Sequence, residues 1–569
     1  MKKLFISALV LIPAAAAVAQ GPVDAMTLSQ TELRGSARFI GMGGAFTALG
    51  ADLSTLRQNP AGIGVYRGSD IGITLGLDFM SNKTAAGGYS NSETNTLFNV
   101  DNAGYVGTMT FGDNDENTIS WGFSYDRIMR YNRQYTGGQA SMQSSLTNYI
   151  AGITNGTAPD LLWKSDPTNG NTLYPYDNYS SNAPDWMSIL FYNSGMINSE
   201  TYMEDGNIYE TDQYRGLWQH GGVDGAGNKI DPSSGNAIFN IRERGHVDEY
   251  NISLGGSVMN ILYWGIGVGI TDLDFEQDYY YSEFIDRALV PSHPAGYELG
   301  TANHSDLMAY KKVSGSGANF KIGVIVKPIQ EFRIGLAVHT PTYYSLSSSS
   351  YGDTDFDFSS YETAGYRFSG SESTPWDDYD FKLNTPWKLM FGMAGVIGGR
   401  AIISADYQYD AYNDMKLKWA DGDNMTYNNN NISDYYKGTS SLRLGAEFRI
   451  TPQFSLRAGY NYIASACSNE FRDANNFTEQ NAANVARTIS TAGQNPSYRV
   501  DDDTNNISFG FGYRSGGFYF DMAYLYSKRE STFNAFTPFV DYDNVWAAAP
   551  SWKLTDNRSH LVATLGFRF

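Results

Sequence analysis

Ser559-His560-Leu561-Val562-Ala563-Thr564-Leu565-Gly566-Phe567-Arg568-Phe569 alternates like a strand with one apolar and one polar face. Leu561, Ala563, Leu565, Phe567 and Phe569 fall on one side; His560, Thr564, Gly566 and Arg568 fall on the other. Strand side chains alternate with period two, so one face lies against something apolar and the other against something polar. Thirteen further segments of the same length and pattern precede this one. Strands of a soluble sandwich are shorter, whereas a tilted strand needs about 9 to 11 residues to cross a bilayer. The pattern therefore predicts lipid on the apolar side.

Composition fits that reading. Hydrophobic residues make up 42% and mean hydropathy is −0.37. Past the N-terminus no apolar run approaches the roughly 20 residues of a spanning helix. A chain of this kind crosses a membrane only as a closed barrel, because lipid satisfies no backbone group. No Pro-rich or Ser-rich linker divides the 569 residues, which favours one large closed architecture over several domains. Aromatics at 14% suit interfacial girdles and disfavour disorder. The formal charge of −20 argues against nucleic acid as a partner, while an acidic exterior suits divalent-ion bridging to outer-membrane lipid and lipopolysaccharide. Cys467 is the single cysteine, so backbone pairing and packing hold the fold without a disulfide; it reads as an inert core or loop thiol.

Residues 1–19 read as a signal peptide: Lys2 and Lys3, an apolar stretch from Leu4 to Val18, and the small-residue site Ala17-Val18-Ala19. The strands then come in pairs. Ile119, Trp121, Phe123 and Tyr125 follow Tyr105, Met109 and Phe111 across Gly112-Asp113-Asn114-Asp115-Glu116. Phe320 to Val326 joins Phe332 to Val338 through Lys327-Pro328-Ile329-Gln330, and Leu442 to Ile450 joins Phe454 to Tyr462 through Thr451-Pro452-Gln453. Tyr250 to Val258 with Trp264 to Ile270, Trp387 to Met393 with Ala401 to Tyr409, and Ile507 to Tyr513 with Phe518 to Tyr526 behave alike. With the lone strands Ile71 to Phe79 and Leu561 to Phe569 the total is fourteen. Short turns then share one rim, and seven longer connections share the other: 80–102, 128–247, 272–317, 341–385, 411–440, 464–504 and 528–558. That segregation is the outer-membrane arrangement. Connection 128–247 is long enough to hold short helices near Ser141 to Ile153 and Asp185 to Ile197, or an extra hairpin that would raise the count to sixteen.

Residues 20–68 lack the strand period. They include Gly41-Met42-Gly43-Gly44-Ala45 and Asn59-Pro60-Ala61-Gly62. A fourteen-stranded cylinder is too wide for wall side chains to fill, so this glycine-rich segment is expected to plug it. The expected organisation is a leader (1–19), an N-terminal plug or hatch (20–68) and an all-β, fourteen-stranded antiparallel transmembrane barrel (69–569).

These two motifs, with Asn384-Thr385-Pro386-Trp387 leading into a strand and the aromatic C-terminus, resemble the FadL/TodX family of outer-membrane transporters of long-chain fatty acids and other hydrophobic compounds. The resemblance spans the mature chain in order, most closely in the first 70 residues and the strands. The Asn-, Tyr- and Asp-rich loops resemble the Bacteroidetes branch. The resemblance implies a monomer of the Gram-negative outer membrane in which apolar molecules are captured at the loops, reach a lumenal pocket, and diffuse sideways into the membrane when the hatch shifts. Gly41, Gly43, Gly44, Asn59, Pro60 and Ala61 would belong to the hatch, and the lateral gap would fall in the third strand, Asn117 to Arg127, at Gly122. An apolar route suits such cargo, since burial is worth about 0.8 kcal/mol per methylene.

Other chemistry reads poorly. Gly41 to Gly44 lacks the Gly-Lys-Ser/Thr of a phosphate loop, and Gly265-Ile266-Gly267-Val268-Gly269 continues a strand, where its glycines relieve crowding on the lumen face. The six histidines have no ligand spacing, so neither a metal nor a haem is expected and no cofactor is assigned. Asp272-Leu273-Asp274-Phe275-Glu276 and Asp353-Thr354-Asp355-Phe356-Asp357 read as solvated loops rather than calcium loops. A serine hydrolase would need His339 or His560 joined to a serine and an acid, and no motif supports that, so no enzyme activity is expected. The competing reading is an interaction protein, a PorV-like surface shuttle of type IX secretion.

Overall fold

The structure is a computed structural model that describes residues 20–111, 117–165, 170–177, 183–205, 207–223, 229–292, 297–473, 495–540 and 546–569. The leader expected over 1–19 and the turn Gly112 to Glu116 lie outside the described residues. Fourteen antiparallel wall strands follow one another around a ring: β1 (Asp70–Ala86), β2 (Tyr89–Phe111), β3 (Asn117–Gln139), β4 (Ser234–Val258), β5 (Leu262–Pro291) and β6 (Tyr297–Ile329), then β7 (Phe332–His339 and Tyr343–Ser360), β8 (Asp377–Asn384 and Lys388–Ile397), β9 (Ala401–Asp410 and Lys416–Trp419), β10 (Thr439–Arg449), β11 (Phe454–Ile463), β12 (Tyr498–Ser515), β13 (Phe518–Asn534) and β14 (Ser551–Arg568). β14 pairs with β1 from Asp70↔Arg568 to Ala85↔Lys553, which closes the barrel and leaves no edge at the join.

The near-turn half of every strand turns its apolar residues outward. In β1, Ile71, Ile73, Leu75, Leu77 and Phe79 are exposed while Gly72, Thr74, Gly76 and Asp78 are buried. Ile252 and Leu254, Ile322, Leu336, Leu389, Leu442 and Leu444, Phe509 and Leu565 continue the same outward belt. A water-soluble barrel would have the reverse, so this belt is the lipid-facing surface of an outer-membrane barrel. Among the described residues no helix is long and apolar enough to cross a membrane.

Above the belt the pattern inverts and the strands keep going. β5 has 30 residues and β6 has 33, about three times what a bilayer requires. Asp272, Asp274 and Glu276, expected in a loop, face outward along β5 while Leu273 and Phe275 are buried in the lumen. Asp353, Asp355 and Phe356 behave alike in β7, where Phe356 is buried. Much of 80–102, 272–317, 341–385 and 528–558 is therefore wall rather than loop. Once both solvents are exchanged, water outside and apolar core inside, a strand needs polar-out alternation, and a search for apolar-out segments stops at the lipid boundary. Among the described residues no cluster of three or more metal-ligating side chains forms.

The long connection between β3 and β4 carries α4 (Leu146–Thr154), α5 (Trp186–Asn193) and a hairpin, Ile197–Glu204 with Asn207–Gly216, that pairs with itself and stays out of the wall. Leu146, Ile150, Ile189, Leu190 and Phe191 pack with Phe239, Tyr281, Phe358, Phe533 and Trp552 of the upper wall. This cluster forms a crown at the end opposite the short turns. On one side of the barrel β7, β8 and β9 are interrupted at a common level, at Thr340-Pro341-Thr342, at Thr385-Pro386-Trp387 and over 411–415. Thr342 N–H donates to Thr385 Oγ1 (2.9 Å) and Thr385 N–H to Thr342 O (3.1 Å), which stitches the interrupted strands together where proline supplies no donor.

Candidate functional site

The lumen holds the N-terminal segment, built of α1 (Pro22–Ser29), α2 (Ala37–Gly41), α3 (Thr55–Gln58) and a 3₁₀ turn, Pro60–Val65. Ser36 starts α2 by accepting from Phe39 N–H, and its hydroxyl donates to Asp52 (2.7 Å). Gly43 and Gly44 end that helix at φ 62° and 75°, a left-handed path that favours glycine. Asn59 uses both ends of its amide: Oδ1 accepts from Ala61 N–H (3.0 Å) and Nδ2 donates to Thr47 O (2.6 Å). Pro60 then opens the 3₁₀ turn at the position where its missing N–H costs nothing.

This stretch meets the wall glycine against backbone. A methyl added to Gly459 would strike Gly43 N, and one on Gly445 would stand 2.5 Å from Met42 O. Gly510 lies against Gly41. Around the ring, Gly265 leaves room for Pro60 and Ala61, Gly323 for the Asn59 amide, and Gly335 for Thr47. Five of the six residues singled out in the segment thus gather at two wall faces, Gly41 and Gly43 near β10 to β12 and Asn59, Pro60 and Ala61 near β5 and β6, while Gly44 packs inside the segment against Leu33 and Phe39. Gly122 belongs to neither. It faces Leu56 and Ile63, on which a methyl would impinge at 2.9 Å and 3.1 Å.

Gly122 is also paired on both sides, with Val106 and with Ser253. The β2–β3 ladder ends four residues later, at Asn102↔Asp126. Beyond it, β2 from Tyr89 to Val100 pairs with β1, and β3 from Arg127 to Gln139 stays with β4 after a register shift between Arg127 and Met129. The upper part of β3 meets β1 through Gln134 N–H and Asn82 Oδ1 (3.4 Å). A seam between β2 and β3 results, spanned by Arg127, whose guanidinium reaches Asn99 (3.4 Å) and Asp248 (2.8 Å).

The lumen at belt level is charged, which the motifs gave no sign of. Arg34, fully buried, donates to Asp78 (2.8 Å), Asp101 (2.7 Å) and Glu32 (2.7 Å). Arg558 also pairs with Glu32, and His560 Nε2 lies 3.0 Å from Asp101. Burial pushes the Glu32 carboxyl up, yet Arg558 and Arg34 outweigh it and hold the acid below the usual carboxylate range. Arg38 joins Glu447 (2.9 Å), which Arg457 links to Asp521 (2.6 Å). The signal available in sequence was an aspartate, Asp78, on the lumen face of an otherwise apolar and glycine-rich strand; a buried carboxylate needs a cation. The two strand histidines considered for a triad point inward, His339 to Gln58 O (2.9 Å) and His560 to Asp101. His246 and His304 also lie on strands, in the polar-out upper wall.

Two cavities flank α1. The larger, about 140 Å³, has an apolar side of Leu28, Leu33, Ile128 and Met390 and a polar side on which Arg57, Lys388 and Arg443 stand with the acids Glu32, Glu249 and Asp410. Among the described residues Nε and Nη1 of Arg443 have no hydrogen-bond partner. Ile128 places this cavity directly above the last β2–β3 rung. The smaller, about 80 Å³, lies between Pro22, Thr27, Phe275 and Phe533, beneath the crown.

No curated protein matches the chain in sequence. Three crystal structures similar to it are those of a Pseudomonas aeruginosa FadL homologue (12% identity, TM-score 0.47, covering 95% of this chain and 99% of that one), the P. putida toluene transporter TodX (12%, 0.43, 95% and 99%) and the Ralstonia pickettii toluene transporter TbuX (14%, 0.41, 94% and 99%). Within the sequence, residues 251–515, from β4 to the end of β12, match the family described as outer membrane protein transport protein (OMPP1/FadL/TodX).

Proposed function

We propose that this protein carries long-chain fatty acids or other hydrophobic compounds across the outer membrane by passive diffusion, with residues 20–68 as the hatch and the β2–β3 seam as the sideways exit. The observation that carries this reading is the cavity between α1 and Ile128, which adjoins the point where the wall ladder stops. Cargo leaving there reaches the belt through the wall and passes only the Glu32 edge of the charged cluster around Arg34. Amphipathic cargo suits the cavity better than a bare hydrocarbon, because the polar end is of mixed charge and Arg443 keeps two guanidinium nitrogens for an anionic headgroup. The family match supports the same class of cargo.

The test is uptake of oleate by cells that lack another carrier, with Asn99→Cys and Arg127→Cys bridged or not bridged by a short bifunctional thiol reagent. Bridging should stop uptake, and cleaving the bridge should restore it. Unchanged uptake in the bridged state would remove the seam from the route. Uptake of toluene without oleate would replace the cargo class and keep the route.

A further inference from the structure

We propose that Tyr310, Tyr351 and Trp376 form a saccharide-binding platform on the outer wall, occupied by neutral sugar units of the lipopolysaccharide around the barrel. The three rings make one cluster, with centroids 5.5 Å (Tyr310 to Tyr351), 4.5 Å (Tyr351 to Trp376) and 5.8 Å (Tyr310 to Trp376) apart. Tyr310 shares the outward face of β6 with Phe320 and Ile322, and Tyr351 shares that of β7 with Tyr343. Trp376 is 60% exposed although it stands beside the water-facing wall, where Lys312 and Met308 are set among outward positions that are otherwise acidic or hydroxylic. Its connection is held: Thr374 N–H donates to Gly352 O (2.9 Å) and Gly352 N–H to Thr374 Oγ1 (2.9 Å), so the ring is presented from a fixed backbone.

The surroundings select the ligand. Asp278, the register partner of Tyr310, is paired with Arg244 (2.9 Å), and Asp306 accepts from Tyr280 (2.9 Å). Asp353 follows Tyr351 on the outward face of β7. A pyranose offers an apolar C–H face to the electron-rich rings and hydroxyl donors to carboxylates at its rim. The same carboxylates repel phosphate-bearing sugars, which leaves neutral ones. Height selects the source. Tyr351 lies eight residues beyond Tyr343, roughly 20 Å above the belt for a tilted strand, where the saccharides of outer-leaflet glycolipid stand.

The experiment uses the whole protein in lipid nanodiscs and, as probe, the oligosaccharide released from lipopolysaccharide by mild acid, read by calorimetry and by saturation-transfer NMR. The wild type should bind it with saturation transferred to ring C–H protons of the sugar. Trp376→Ala should weaken binding about tenfold while Trp376→Phe keeps most of it. Tyr202→Ala, on the crown hairpin, should have no effect. Heat-dependent gel mobility reports that each variant is a folded barrel. Absence of binding by the wild type, or equal binding by Trp376→Ala, overturns the proposal. Binding of tetramethylammonium in place of the sugar overturns it as well and makes the cluster a cation cage.

Discussion

The two halves of the N-terminal segment are held in different ways. Residues 36–66 sit against wall glycines at backbone contact, with Gly43 on Gly459 and Pro60 on Gly265. Residues 20–34 are held by side chains that reach across: Gln20 to Ser348, Asp24 to Lys311, Gln30 to Asp501 and Arg34 to Asp78 and Asp101. Both cavities adjoin this first half. Close-packed backbone cannot shift without a clash on one side, whereas long polar side chains can exchange partners around a void. On the proposed reading, 20–34 would be the part that moves and 36–66 the base it moves on.

Deleting 20–34 should have the largest effect. Small-solute permeability of proteoliposomes should rise well above background, and an unchanged value would mean that the base alone closes the lumen. Arg34→Ala removes the guanidinium that joins buried Asp78 and Asp101, a loss of about 3–5 kcal/mol. Hydrogen exchange should speed up over 20–34 and stay slow over 36–66; the opposite order would reverse the roles. Gly459→Val forces a side chain into the backbone of Gly43 and should cost about 3 kcal/mol in urea unfolding, against nothing for Gly222→Ala, which has open space around it. Pro60→Ala frees one backbone angle and should lower stability by about 1 kcal/mol. If uptake falls further than that loss explains, the base belongs to the moving unit too.

The smallest effect is a pair of opposite pH dependences. Glu32 has a depressed pKa, so its contribution to folding is present above the unfolded value of 4.5 and is lost as pH falls through the folded one. Asp185, at the start of α5, is pushed up to about 6 by burial, which outweighs its hydrogen bond from Met187 N–H. The fold favours its protonated form, so the crown should lose stability as pH rises from 3.8 to about 6. Exchange rates of 28–36 and of α5 measured from pH 3 to 7 should therefore move in opposite directions; parallel trends would show that neither carboxyl is decisive.

Sequence was informative where one solvent dictates one face. Ile71 to Phe79 and Leu561 to Phe569 could be read because lipid demands an apolar residue at every second position, and the count of fourteen followed. It failed for Asp272 to Glu276 because the same strand, twelve residues on, answers to water outside and Phe275 inside. The segment motifs were visible as glycine clusters, yet their partners Gly445, Gly459 and Gly323 are distant in sequence and only closure of the ring brings them together. Arg34 gave no sign for a similar reason: its acids come from β1 and β2, and the strand period does not say which lumen positions face each other across the bore. Gly122 lies on β3 with both ladders intact, and where two ladders part is a property of β2 as much as of β3.

The level break across β7, β8 and β9 has a consequence for how the chamber is sized. Pro341 and Pro386 stop the ladder at one height, and Thr340, Thr342, Thr385 and Tyr412 at that crease line the larger cavity. The hollow is thus a product of a fold line in the staves rather than of small residues within it. Sliding those prolines along their strands would enlarge, shrink or relocate the hollow while strand number and girth stay constant, which gives one scaffold a means of retuning for differently shaped passengers.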